Sequence, residues 1–299
     1  MVRIQFQTVR LEDKPFFDRF FRSGQHHNSE CTFTYYYMWR KAGNIRWALV
    51  DDCLCILLDF MGKPFFFPPY GATEANFAGV IKKMEEYFQS VHKPFYMRGI
   101  TKPFLELFQS RLPERFSFSR DRDSWDYVYL GADLSELTGR RYSKKRNHIN
   151  AFLAMHGNYC YRPVGRGNLA ECLTFLDRWF SSHNANRYLE KEKEAILDIM
   201  EELDSLDIQG AVIEINGRIE AMTLGEAIND TTAVIHAEKA NPDIRGLYPL
   251  INQQFCRRQW PDKLYINREE DMGMSGLRKA KESYYPFQLL EKYTAQAKE

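Results

Sequence analysis

The stretch IQGAVIEINGRIEAMTLGEAIN, residues 208–229, decides the fold. Its centre, Asn216-Gly217, is the strongest short-range hairpin signal a sequence carries, because a two-residue type I′ turn needs positive φ at both central positions. Apolar residues flank the turn on both sides, so two adjacent antiparallel strands are predicted. Working outward, TTAVIHAEKA (231–240) reads as a third strand that passes through the loop NPDIRG (241–246) into a helix over 247–259. KLYINRE (263–269) is the next strand, MSGLRKAKESY (274–284) the next helix, and PFQLLEKY (286–293) a closing strand. Upstream of the hairpin lie two helices over 169–183 and 190–206, a strand over 159–164 and a basic helix over 139–156.

The order of elements before residue 130 is much the same. A strand-like VRIQFQTV (2–9) leads to an aromatic helix over 11–24, with Pro15 in its first turn and Gly24 after its end. Two strands over 45–59 turn at Asp51-Asp52, and the proline-rich FMGKPFFFPPYG (60–71) is expected to be irregular, because proline supplies no ladder donor. A helix over 73–91 places Phe77, Val80, Ile81, Met84 and Phe88 on one face. A strand over 95–99, a helix over 102–110 and an extended 117–129 complete the half. At 299 residues a single core splits readily. The expectation is an α/β chain of α+β, mixed-sheet type, in two domains, 1–130 and 131–299. Aromatic rings of CTFTYYYMWR (31–40) and PFFFPPYG (64–71) are expected to line a groove between them, since ligand sites favour domain interfaces.

Composition narrows the function. Apolar residues make up 44% and charged residues 27%, as in ordinary globular proteins. The first 14 residues hold no signal-peptide core, and no window approaches the roughly 20 apolar residues of a spanning helix, so no transmembrane segment and a cytoplasmic location are expected. Cys31, Cys53, Cys55, Cys160, Cys172 and Cys256 form no CxxC pair and the histidines no HExxH pattern; neither a metal nor a cofactor is expected. A net charge of +1 argues against DNA binding by the whole surface. Charge is nevertheless uneven: 137–170 contains no Asp or Glu but holds Arg140, Arg141, Lys144, Lys145, Arg146, Arg162 and Arg166. Arg141, Lys145 and Arg146 are candidate phosphate contacts, with a solvated helix as the alternative.

Several words of the sequence carry a resemblance. GRRYSKKRNHIN (139–150), GEAIND (225–230) with HAEKA (236–240), GLYPLINQQF (246–255) and YINREEDMGMSGLRKAKESYYP (265–286) resemble the bacterial family that shares the C-terminal domain of phosphatidylglycerol lysyltransferase. That family is similar in turn to the Fem aminoacyltransferases, which are built from two GNAT-like domains. The element order after residue 130 is also the GNAT order, so two tandem GNAT-like (acyl-CoA N-acyltransferase-like) domains are implied. The resemblance implies a transferase that takes an acyl or aminoacyl group from an anionic donor, aminoacyl-tRNA or acyl-CoA, to an amine or hydroxyl of a small-molecule, peptide or lipid acceptor. Aminoacyl-tRNA is favoured, because the loop 243–248 has one glycine where acetyl-CoA enzymes carry a glycine-rich pyrophosphate loop. The alternative is a non-catalytic protein of the same fold that binds a nucleotide-linked or phospholipid ligand.

Candidate site residues follow. A late Fem segment matches Gly276, Leu277, Ala280, Lys281 and Tyr284, with Ala280 in place of an aromatic residue. Lys281 is implied to stabilise an oxyanion, and Arg278 shares its helix face. Glu226 and Glu238 sit in apolar strands as amine ligands or general bases, or as structural acids paired to Lys239 or Arg245. By strand alternation, His236 and Glu238 point the same way. Asn267 and Arg268 leave a strand end, where α/β sheets place their sites, and the acids Glu269, Glu270 and Asp271 read as a solvated loop. Arg245, Tyr248 and Asn252 around the start of the 247–259 helix complete the substrate-binding candidates, with Tyr284.

Overall fold

The structure, a computed structural model, describes residues 4–22, 26–60, 62–183 and 186–298. Gly24, Met61 and the start of the first expected strand at Val2 and Arg3 lie outside the described residues. The first half runs β1 (Gln7–Thr8), α1 (Lys14–Arg22), α2 (Phe33–Trp39), β2 (Arg46–Val50), β3 (Cys53–Phe60), β4 (Lys63–Phe66), α3 (Phe77–Ser90), β5 (Tyr96–Ile100), α4 (Lys102–Arg111), β6 (Phe116–Arg120) and β7 (Asp126–Leu130). The second runs α5 (Gly131–Glu136), α6 (Ser143–Met155), β8 (Cys160–Pro163), α7 (Leu169–Ser181), α8 (Arg187–Glu201), β9 (Gln209–Ile215), β10 (Arg218–Ala227), β11 (Thr232–Ala240), α9 (Leu247–Gln259), β12 (Tyr265–Asn267), α10 (Ser275–Glu282), β13 (Gln288–Leu290) and β14 (Tyr293–Ala297).

Two sheets of one plan result, ordered β1-β2-β3-β4-β5-β14-β6 and β8-β9-β10-β11-β12-β7-β13. Each is antiparallel except at one pair, β4 with β5 and β11 with β12. The Asn216-Gly217 hairpin joins β9 to β10, and both turn residues have positive φ. Two expectations need correction. The proline-rich stretch carries β4, which accommodates Pro64 because it is paired there on one side only, β5 joining at Phe66 alone. The closing segment is two strands, not one: β13 completes the second sheet, and β14 crosses to the first.

That crossing is half of a reciprocal exchange. β7 from the first half fills the sixth place of the second sheet, and β14 from the end of the chain fills the sixth place of the first. Both exchanged strands cross the expected boundary between 1–130 and 131–299. Where they pass, Lys292 is fully buried and donates to Glu30 Oε1 (2.6 Å) and Asp126 Oδ1 (2.7 Å). Asp126 also accepts from Ser29 N (2.7 Å), Ser29 Oγ (3.1 Å) and Asn267 Nδ2 (2.9 Å). A buried charge needs such company, since desolvation penalises it heavily.

Helices cover both faces of each sheet. Side chains of α1 and α2 merge with those of α7, α8 and β10 into one core between the sheets, while α3 with α4 and α6 with α9 cover the outer faces. Most of the rings expected to line a groove between the halves are buried instead, with Tyr35 and Trp39 half-buried. Phe33, Tyr36, Tyr37, Phe65, Phe66, Phe67 and Tyr70 are all buried, because their rings are packing surface for the sheet and the shared core. Lys292→Ala leaves Glu30 and Asp126 buried without a counter-charge. It is expected to lower the free energy of unfolding by about 3–5 kcal/mol in urea denaturation; an unchanged midpoint would show that the cluster does not hold the exchange.

Candidate active site

β11 and β12 pair only over residues 232–234 and 265–267, after which β12 ends and β11 runs on to Ala240. The resulting gap is filled by polar side chains. Their directions are set by a β-bulge: Gly225 pairs with Ile235 and Leu224 with Ala237, so His236 is the extra residue. Past the bulge the faces change places. Val234 and Ala237 both face the shared core, Lys239 reaches Glu192 of α8 (2.8 Å), and Glu238 accepts from Asn252 of α9 (2.8 Å). His236 instead bonds Glu226, the cross-strand partner of core-facing Val234. His236 and Glu238 therefore lie on opposite faces, contrary to simple alternation.

On the core-side face His236 is clamped between two carboxylates, Nε2 to Glu226 (2.9 Å) and Nδ1 to Glu269 (2.8 Å). Burial alone would lower the imidazole, but the two hydrogen bonds and charges outweigh it and raise it to about 10. Glu269 sits in the left-handed region, φ 57°, uncommon for a residue with a side chain. Next to it, burial chiefly and then Glu269, Asp126 and Glu30, against Lys292, push Glu270 up to about 8. Burial first, then neighbouring acids, raise the phenols of Tyr35 on α2, where Glu270 leads, and of Tyr188 on α8, where Glu192 precedes Glu270.

The other face carries the opposite sign. Arg268 Nη2 donates to Glu238 Oε1 (3.0 Å), and the guanidinium lies over Tyr284 (4.8 Å) and Tyr129 (5.8 Å). Burial opposes its charge, but Glu238 more than compensates and holds it protonated. Lys145 of α6 reaches the same place, 3.7 Å from the Tyr284 ring centroid and 2.7 Å from Ser283 Oγ. Burial, then Arg268, push it down to about 8. Arg268 Nη1 and Asn252 Oδ1 are buried without a hydrogen-bond partner, an uncommon state for a buried donor and acceptor.

The remaining candidates divide. Lys281 lies beneath the gap, its Nζ on the carbonyls of Arg268 and Glu269, with burial pushing it down to about 8. Arg278 grips buried Asp271 through two bonds and also Asp123, so it braces the 268–273 turn. Asn267 faces the first half, donating to His27 O and Asp126. Tyr248 packs in the first turn of α9 and Arg245 is exposed before it. In the basic helix, Arg141 pairs with Asp133 and Arg146 donates to the carbonyls of Leu137 and Gly139. Arg162 and Arg166 pair with Glu214 and Asp204, so with Arg141 three of the seven cations in the acid-free stretch are answered by acids from outside it. Lys145 alone of the three basic-helix candidates reaches the gap. The acids of the 269–271 run are not a solvated loop: Asp271 is buried, and Glu269 and Glu270 are partly so. Tyr129 had no signal that singled it out, because the exchanged strand β7 brings it in, and the inward placement of Glu269 and Glu270 depends on the parallel register of β12 against β11.

At the start of α9, Gly246 (φ 88°) packs against the carbonyl of His148 and against Phe152 of α6. α6 therefore approaches the N-cap of α9 closely at this one residue. Two surface cavities, about 230 Å³ beside Arg166 and Leu169 and about 110 Å³ beside Met155 and Asn216, lie away from the gap. Among the described residues no helix is long and apolar enough to cross a membrane.

The sequence matches the family described as phosphatidylglycerol lysyltransferase, C-terminal, over residues 21–296. A conserved protein of unknown function from Bacteroides thetaiotaomicron VPI-5482 is 33% identical and superposes with a TM-score of 0.93, over 99% of this chain and 100% of that one. L-PGS from Bacillus licheniformis shares the fold at 16% identity and a TM-score of 0.66, over 95% of this chain and 92% of that one. A tandem GNAT protein from the clavulanic acid biosynthesis pathway shares it at 9% identity and 0.53, over 99% of both. No curated protein matches. The two sheets are thus tandem GNAT-like units. For His236, a folded-state value raised from 6.5 to about 10 means a contribution to stability that is complete below pH 6.5 and lost as pH rises through 10. Between pH 7 and 10 the wild type is expected to lose stability relative to His236→Gln, on the order of a few kcal/mol, in paired urea titrations; parallel curves would contradict the clamp.

Proposed function

The chain belongs to the phosphatidylglycerol lysyltransferase C-terminal family, and we propose that it moves an aminoacyl group from an anionic donor to an amine or hydroxyl acceptor in the gap between β11 and β12. The observation that carries this reading is the pair Arg268 and Glu269. Successive residues send a cation to one face of the gap and an anion to the other. An aminoacyl ester of a nucleic acid bears both complementary charges, an amino group on one side of the reacting carbonyl and phosphates on the other. Simple acyl donors lack the first.

In this reading Glu226 and Glu269, the acids clamping His236, receive the amino group, as amine ligands need desolvated carboxylates. Arg268 and Lys145 meet the donor's phosphate side, with Tyr284 and Tyr129 as their aromatic bed. Glu238, oriented by Arg268 and Asn252, is placed to take a proton from the acceptor as it attacks the ester carbonyl. Attack forms the acceptor–carbonyl bond and breaks the ester carbonyl C–O bond, and the proton taken by Glu238 is returned to the leaving oxygen. Aminoacyl-tRNA is favoured over acyl-CoA because the loop before α9 has one glycine, Gly246, where acetyl-CoA enzymes carry a glycine-rich pyrophosphate loop.

The test is consumption of the donor. Incubated with charged tRNA and an amine panel, the protein is expected to release the aminoacyl group, and with acetyl-CoA to leave the thioester intact. Glu238→Gln and Arg268→Gln are expected to slow the release by about 100-fold. Lys145→Ala should weaken tRNA binding and lower its salt slope by about one, whereas Arg146→Ala, whose bonds are to backbone carbonyls, should leave binding unchanged. Binding of tRNA without consumption of either donor would establish the alternative, a non-catalytic binding protein on the same fold.

A further inference from the structure

Lys281 projects from α10 into the floor of the gap, and the residue is 8% exposed. Its Nζ donates to two consecutive carbonyls, those of Arg268 and Glu269, the latter at 3.2 Å. The same two residues carry the opposite charges of the two faces. Between them the chain takes a left-handed step at Glu269, a conformation that costs roughly 1–2 kcal/mol for an L residue and persists only where surroundings over-determine it. The surroundings do so here: Glu269 N donates to Asn267 Oδ1 (2.7 Å), and Glu269 O accepts from Tyr127 N (3.1 Å) as well as from Lys281. Tyr129 in turn donates to the Lys281 carbonyl (2.8 Å), tying α10 to β7.

We propose that Lys281 is a positioning residue: its buried ammonium bridges the Arg268 and Glu269 carbonyls and so fixes the left-handed step that aims Arg268 at one face and Glu269 at the other. The proposal rests on reading the β11–β12 gap as the transfer site. Lys281 then acts through these two neighbours and does not itself contact the reacting carbonyl. Its charged surroundings are Arg268, which opposes its proton, and Glu269, Glu270 and Asp126, which favour it.

His236 reports on this arrangement without any donor. The charged groups facing it are Glu226 and Glu269, and it shares no hydrogen bond with Lys281. In protein carrying ¹⁵N-labelled histidine, the imidazole midpoint of the full chain is followed by NMR in the wild type and in Lys281→Met. Release of Glu269 is expected to lower the midpoint by about one pH unit or more. Mere removal of a cation would raise it, so the direction separates the two effects. A midpoint unchanged or raised in folded Lys281→Met overturns the proposal. If that variant does not fold, Lys281→Ala is prepared with propylamine, whose ammonium fits the vacated position. Folding with the amine and a wild-type midpoint would support positioning, and failure to fold even with it would overturn the proposal in favour of a role in stability alone. Because no donor is used, a failed transfer assay and a failed positioning test remain distinct results.

Discussion

The buried ammonium of Lys292, held by Glu30 and Asp126, sits where the two exchanged strands pass each other, and the remaining architecture depends on that crossing. β7 occupies the sixth place of the second sheet and β14 the sixth place of the first, so each half supplies the strand that completes the other. Buried ion clusters add little net stability over an apolar core, but a missing partner is costly, so they penalise wrong pairings more than they reward the right one. Asp126 adds a second consequence. It also anchors Asn267, the last residue of β12, so the crossing point and the floor of the candidate site share one hydrogen-bond network.

Legibility in the sequence followed the range of the interactions. Hairpin and helix signals are local: Asn216-Gly217 gave a turn, Asp51-Asp52 another, and the α9 helix fell on the expected 247–259. The strand exchange is not local, and nothing in PFQLLEKY marks the break between β13 and β14, because both pieces look like ordinary strand. Aromatic clusters misled for a related reason. A run such as Phe65-Phe66-Phe67 is equally suited to a groove and to a core, and only the packing of the shared core against α1 and α2 decides.

The site shows the same division. Glu226, Glu238, His236, Asn267, Arg268 and Lys281 stood out as polar residues in apolar strands or through a family resemblance, and the structure gathers them around one gap. Their directions were out of reach, since a single bulged residue at His236 reverses the faces of everything after it on β11. Glu269 and Glu270 read as solvent-facing acids in a run of charge, yet the parallel register of β12 against β11 draws them inward. Local charge was misleading in the opposite sense for the basic helix, whose Arg141 and Arg146 find partners on α5 and in the loop after it.

The central claim is that the β11–β12 gap accepts an aminoacyl donor with its amino group on the Glu226 and Glu269 face and its phosphate side at Arg268 and Lys145. A crystal structure with an amide-linked, non-hydrolysable 3′-aminoacyl adenosine phosphate tests it most directly. The account expects the ligand to thread the gap, its amino nitrogen within hydrogen-bond distance of Glu226 or Glu269 and its phosphate against Arg268 or Lys145. A ligand seated on the first sheet, or lying in the gap with its charged ends reversed, would contradict it.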